Sequence, residues 1–121
     1  MTINLSVPGD AAHLAILRAT AASVAARAQL TLDQLEDVRL AVEEAAMTLL
    51  AGSPPTIEMA MDPSVMPLTV TVSAHPTIPV KLDPDGFSWT ILSAMTDQFV
   101  VDQVNSQMTL TMRFAGVNPA T

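Results

Sequence analysis

The densest run of ionisable side chains lies between Asp33 and Glu44, where Glu36, Asp37, Arg39, Glu43 and Glu44 crowd a single segment. Glu44 and Thr48 are four residues apart, so on a helix they stand one above the other on the same face. A carboxylate placed in that way can serve as a general base beside a bound ligand. Thr48 offers one neutral hydroxyl, a poorer magnesium ligand than Asp, Asn or Glu. The same run also reads as an ordinary solvated helix face. His13 and His75 have no cysteine partner, and a metal site built on them would have to recruit carboxylates; both are read as surface or loop histidines. No serine is marked as an activated nucleophile. The four glycines, Gly9, Gly52, Gly86 and Gly116, are too scattered to form a phosphate-binding loop.

These residues need elements to position them. Thr2 to Val7 alternates apolar and polar side chains, the pattern of a short strand. Pro8-Gly9-Asp10 reads as a turn with Asp10 as a helix cap. An Ala-rich helix follows over Ala11 to Gln29, with Leu14, Leu17, Ala21, Val24 and Ala28 on its apolar stripe. Thr31 and Gln34 match a capping box and open a second helix that runs to about Leu50. Leu35, Val38, Val42, Ala45 and Leu49 share one face of it, and Gly52-Ser53-Pro54-Pro55 ends it. Strands are predicted over Thr56 to Met61 and Leu68 to Ser73, joined through Asp62 to Pro67. The proline-bearing stretch from Ala74 to Gly86 reads as a loop. A third helix is predicted over Phe87 to Gln98, with Trp89, Leu92, Ala94, Met95 and Phe99 inward. Two strands, Phe99 to Val104 and Met108 to Phe114, close the chain around a turn at Asn105-Ser106, and the tail after Ala115 is read as loose. This order predicts one α+β domain over residues 1–121, a two-layer sandwich with a mixed, mostly antiparallel sheet and helices on one face.

Composition narrows the function. Twelve acidic residues against five basic ones give a net charge of −7, and the basic residues are scattered. Direct nucleic-acid binding and docking on an anionic membrane both need clustered Lys and Arg, so neither is expected. An acidic chain suits a basic protein partner. Only 14% of residues are charged while 50% are hydrophobic, which predicts apolar surface left for a partner or a second copy. Eight methionines and few aromatics suit an adaptable core or contact surface. There is no cysteine. Met1 to Leu5 lacks the basic and apolar runs of a signal peptide, and the longest uncharged stretch, Pro63 to Val80, holds four prolines, so a cytoplasmic protein is expected.

Two motifs carry a family resemblance. Val38-Arg39-Leu40-Ala41-Val42-Glu43-Glu44-Ala45 resembles the Asn-box helix of the anti-sigma-factor serine kinases, members of the ATPase superfamily of gyrase, histidine kinases and MutL. Gly86-Phe87-Ser88-Trp89 and the residues to Asp97 resemble the helix after that family's second glycine box. The Phe-Ser-Trp version is most similar to anti-sigma factors of the RsbW or UsfX type. The resemblance implies the Bergerat, histidine-kinase-like ATPase fold, here with a shortened lid. It puts Glu44 at the family's general-base position. Thr48 then stands where the family has the magnesium-binding Asn, His75 lies in the segment of the first glycine box, and Gly86 and Ser88 lie in the second. Arg18, on the first helix, falls on a face that the family uses for partners or dimerisation.

The departures from the family pattern bear on function. The segment after Ser73 has neither the Asp nor any Gly of the first box, and the Asn is missing. Each lost polar contact is worth about 1–3 kcal/mol, enough together to weaken ATP binding by orders of magnitude. The resemblance therefore implies an anti-sigma factor that sequesters an alternative sigma factor, is regulated by an antagonist protein and forms a homodimer. It implies no metal site and no cofactor, or ATP and Mg²⁺ at weak affinity, and leans against an enzyme. The alternatives are an active serine/threonine kinase acting on an anti-anti-sigma factor, and a scaffold module of the same fold.

Overall fold

A computed structural model describes residues 1–116 of the chain. Strand β1 (Ile3–Pro8) leads through one 3-10 turn at Ala11–His13 into α1 (Leu14–Ala25), then α2 (Leu32–Leu50). Two strands follow, β2 (Thr56–Met61) and β3 (Leu68–Ala74). Helix α3 (Phe87–Met95) and the hairpin of β4 (Gln98–Val104) and β5 (Gln107–Phe114) complete the fold.

The strands form one sheet in the order β1-β2-β3-β5-β4, and every pairing is antiparallel. The expected mixed sheet is thus corrected to a wholly antiparallel one. The reason lies in the connections. The α1–α2 hairpin returns the chain to its starting end, so β2 pairs antiparallel with β1. The crossover through α3 makes β4 run parallel to β3, but β5 folds back between them and separates the two.

Alternation does the packing. Met59, Val72 and Leu110 stand in one cross-strand row, as do Met61, Val70 and Met112, and all six are buried. The intervening positions, such as Thr71 and Thr111, face away from that layer. Helix α2 covers the apolar face, packing on β3 and β5, with Val38, Ala41, Val42, Ala45, Ala46 and Leu49 fully withdrawn from solvent. Helix α1 lies against α2, and its buried face is likewise small, with Ala21 and Ala25. Four of the methionines, Met59, Met61, Met108 and Met112, are core residues.

The local signals act as read from the sequence at several ends. Thr31 accepts from the Gln34 amide at 3.1 Å and Gln34 returns the bond to the Thr31 amide at 2.8 Å, a complete capping box. Asn105 and Ser106 both take positive φ, 51° and 67°, as a two-residue hairpin turn demands. Two helices are shorter than expected. Asp10 accepts from Ala12, so the Ala11–His13 turn is 3-10 and α1 starts at Leu14; it ends at Ala25 rather than Gln29. Helix α3 stops at Met95 because Thr96 is extended and ties its amide and hydroxyl back to the Leu92 carbonyl. Ala94, expected inward, is exposed, and of this helix only Leu92 is fully buried. Trp89 instead stacks edge-on against Phe99, with ring centroids 4.7 Å apart. The tail after Ala115, expected to be loose, lies outside the described residues from 117 onward.

Two substitutions test this account in denaturant titrations. Leu110→Ala empties a fully buried site between β3 and β4 and is expected to lower stability by about 2–5 kcal/mol. Thr31→Ala removes the cap and is expected to remove about 1 kcal/mol.

Candidate functional site

Helix α2 presents a second stripe beside its buried one. Asp37, Leu40, Glu44, Met47 and Ala51 recur at three- and four-residue spacings, so they run down one side of the helix. Toward its C-terminal end this stripe forms one wall of an open groove of about 400 Å³. Glu44, Met47 and Thr48 line the wall; the opposite side is made by Leu82, Asp83, Gly86, Phe87 and Ser88, at the start of α3. Four residues singled out from the sequence, Glu44, Thr48, Gly86 and Ser88, are thus brought together.

Two others lie elsewhere. His75 is exposed just after β3 and does not line the groove. Arg18 on α1 donates to Glu43 at 3.0 Å, a half-buried ion pair that ties α1 to α2. Glu43 and Glu44 therefore differ in role: one is neutralised between helices, the other turns toward the groove. Lys81, Met47 and Phe87 were not singled out by sequence reasoning. For Phe87 the signal was its place one residue after the capping glycine, before the helix turns its apolar side inward; it is 80% exposed.

The segment that follows β3 is fastened down. The amides of Thr77 and Ile78 both donate to the Gly52 carbonyl, at 2.8 and 3.0 Å. The Thr77 hydroxyl donates to the Ser53 carbonyl at 2.9 Å. These bonds satisfy carbonyls left open at the C-terminal end of α2. The Gln103 side-chain amide holds the far end of this strap by donating to the Val80 carbonyl at 3.3 Å. Close approach explains Gly52: a Cβ there would lie 2.5 Å from both Pro76 Cβ and Val80 Cγ2. The left-handed residue that turns the chain is Ser53, with φ 49°, not the glycine.

Several hydrogen-bond donors around the groove are engaged within the chain. The Thr48 hydroxyl donates to the Glu44 carbonyl at 2.9 Å, a bond internal to the helix. The Gly86 amide donates to the Asp83 carbonyl at 2.8 Å, and the Asp85 amide to the Asp83 carboxylate at 2.9 Å. Helix α3 has no side-chain cap at its N-terminus, but Asp83 and Glu44 line the groove there against a single cation, Lys81. Among the described residues no group of three His, Cys, Asp or Glu side chains could hold a metal ion, and no helix is long and apolar enough to cross a membrane.

Negative charge extends along the stripe. Asp37 is held above the ordinary carboxylate range by burial first, then by repulsion from Asp33, Asp97 and Glu36. Glu36 is paired with Arg39, one turn along the same helix. Asp62, far from the groove, is held below the ordinary range by hydrogen bonds from Ser64 and from the N-terminal amine.

Two outcomes follow. Gly52→Ala is expected to lower stability by about 1–3 kcal/mol through overpacking, with faster hydrogen exchange at the Thr77 and Ile78 amides as the strap lifts. Asp37→Asn is expected to raise Tm at neutral pH. A raised folded-state pKa means that the ionised form opposes folding, so the gain is complete above that pKa. It disappears as pH falls below the ordinary carboxylate value, where the wild-type group is protonated in both states. Thermal unfolding of both proteins between pH 3 and pH 8 checks the sign.

No protein-family model matches the chain. Two curated proteins are similar to it, each named anti-sigma-F factor RsbW and each from a strain of Mycobacterium tuberculosis. Each is 30% identical to it over 97 residues, which cover 78% of this chain. The chain spans a little over half, 58%, of the length of these relatives. The helix that carries Glu44 and the segment that opens with Gly86 thus point the same way as the alignment: this chain is similar to proteins named anti-sigma-F factor RsbW.

Proposed function

We propose that this chain is a single degenerate domain of the histidine-kinase-like ATPase superfamily, with a shortened lid, that sequesters an alternative sigma factor in the cytoplasm with little or no ATP binding. An antagonist protein would release the sigma factor, and the sequestering unit would be a homodimer. The similarity to proteins named anti-sigma-F factor supports the sigma partner.

One observation carries the nucleotide-independent part of the reading. At the groove where the resemblance puts the ATP site, the residues that would hold Mg²⁺ and adenine are replaced, and carboxylates face the space. Thr48 stands in place of a magnesium-binding carbonyl oxygen and offers one neutral hydroxyl, whose proton is donated to the Glu44 carbonyl. The amides of Asp85 and Gly86, at the approach to α3, are spent on Asp83. Two carboxylates, Glu44 and Asp83, line the space that a polyphosphate would enter, and their field repels it. The strap after β3 brings Pro76 and Val80 against Gly52 in place of an adenine-reading Asp and flexible glycines. A carboxylate such as Glu44 has no reaction to catalyse without a bound nucleotide.

Calorimetric titration of the purified chain with ATP and Mg²⁺ tests this. The expected result is no heat and no thermal stabilisation up to millimolar ATP. Micromolar binding, with phosphate moving from ATP to a serine or threonine of an antagonist, would replace this reading with the kinase one. Failure of the chain to bind any alternative sigma factor of its source organism would leave a scaffold module.

A further inference from the structure

The α2–α3 groove is more than a site without its ligand; its composition suits a different occupant. Phe87, 80% exposed, and Met47, 49% exposed, line it, and Leu40, 39% exposed, continues the apolar line about two turns back along α2 from Met47. These are large side chains on helices, where the core has taken the opposite faces. Helix α3 packs on α2 with its first turn beside Met47 and Thr48. Its far end leads to Asp97, close enough to Asp37 to act on its charge, so the two helices run antiparallel.

Carboxylates bracket the apolar line. Glu44 and Asp83 stand at the groove itself, with Asp85 in the same turn as Asp83. Asp37 and Asp97 stand at the other end. Of the basic residues near this face, Arg39 is engaged by Glu36, which leaves Lys81. From Asp37 to Met47 the stripe covers eleven residues of helix, about 15 Å from first to last. That length accommodates two to three turns of a partner helix.

We propose that this groove docks a cationic, amphipathic segment of the sigma partner, with apolar side chains on Met47 and Phe87 and Lys or Arg side chains on the carboxylates at both ends. The assignment rests on the sigma-sequestering reading for the identity of the partner, and on charge complementarity for the choice of segment. The nucleotide site of the fold is thereby reused as a protein-binding groove. An acidic segment, a nucleic acid or an anionic lipid surface would meet unfavourable charge along its whole length.

Two measurements separate the groove from the identity of its partner. In the first, the ¹⁵N-labelled chain is titrated with a synthetic 15-residue peptide of Leu and Arg at helical spacing, and with its counterpart carrying Glu for Arg. Only the cationic peptide is expected to shift resonances, confined to residues 37–51 and 79–91, and Phe87→Ser is expected to weaken it about tenfold. Shifts spread evenly over other acidic sites such as Glu58 and Asp102, or none at millimolar peptide, would overturn the groove. In the second, purified alternative sigma factors of the source organism are bound to the wild-type chain, to Phe87→Ser, to the double variant Glu44→Gln with Asp83→Asn, and to Glu58→Gln on the opposite sheet face. At least tenfold loss in the first two variants, with Glu58→Gln unchanged, is expected. Sigma binding that ignores the groove variants would overturn this proposal and leave the sequestering reading standing. Binding of no sigma factor, with the peptide still confined to the groove, would overturn the sigma assignment alone. Phe87 and the carboxylates are exposed or half-exposed, so these variants keep the core intact.

Discussion

Helix α2 lies across β3 and β5, and the groove takes its position from that contact. Six of its side chains are fully withdrawn from solvent, three of them alanines. Burying them fixes the rotation of the helix about its own axis, since the buried and exposed stripes differ by set angles of 100° per residue. Once Val38, Val42 and Leu49 face the sheet, Leu40, Glu44 and Met47 cannot also do so. The stripe that meets α3 is therefore the geometric consequence of the core. A rotation of α2 by one residue would bury Glu43 or Glu44 among the methionines of the sheet, at a desolvation penalty of several kcal/mol. The Arg18–Glu43 pair adds to this by holding the helix to α1 on the side away from the groove.

The two ends of α2 are held by different means, and both bear on the site. At the N-terminal end, Thr31 and Gln34 satisfy each other's amides within the chain's own first turn. At the C-terminal end the satisfaction comes from far away, through Thr77 and Ile78 reaching back to Gly52. The segment after β3 is thus used as the cap of a helix. Its bonds and the side-chain contacts at Gly52 resist opening together, because lifting the strap exposes carbonyls and breaks packing at Pro76 and Val80 at once.

The parts that were legible in the sequence share a local cause. Strand alternation, the capping box and the Asn105-Ser106 turn depend on residues within a few positions of one another, and each formed where it was read. The motif helix and the segment that begins with Gly86 were also recognisable, and they carry the groove walls. What could not be read depended on contacts distant in sequence. His75 sits beside the strand that precedes the strap, yet the strap's course over Gly52 carries it out of the groove. The sequence pattern predicts a third helix running to Gln98 with Ala94 inward, but α3 ends after nine residues and turns only Leu92 fully into the core. The direction of β4 depended on where β5 inserted, which no single strand records.

A binder with a working nucleotide site can be regulated by coupling: the nucleotide favours one state, and the partner's affinity changes by the same factor in return. Under the proposed reading that coupling is absent, because a ligand that does not bind has no differential affinity to contribute. Release of the sigma factor must then come from competition. A competitor need not change the fold; it has only to overlap the docking face and be present at a concentration high relative to its own Kd. The groove is suited to that regime. Its apolar line is short, its carboxylates are solvent-accessible, and contacts of that kind give fast association that weakens with salt, with affinity set by a few aromatic and aliphatic anchors. A site built this way exchanges partners by mass action, whereas a strap fastened at Gly52 offers no lid to close over either of them.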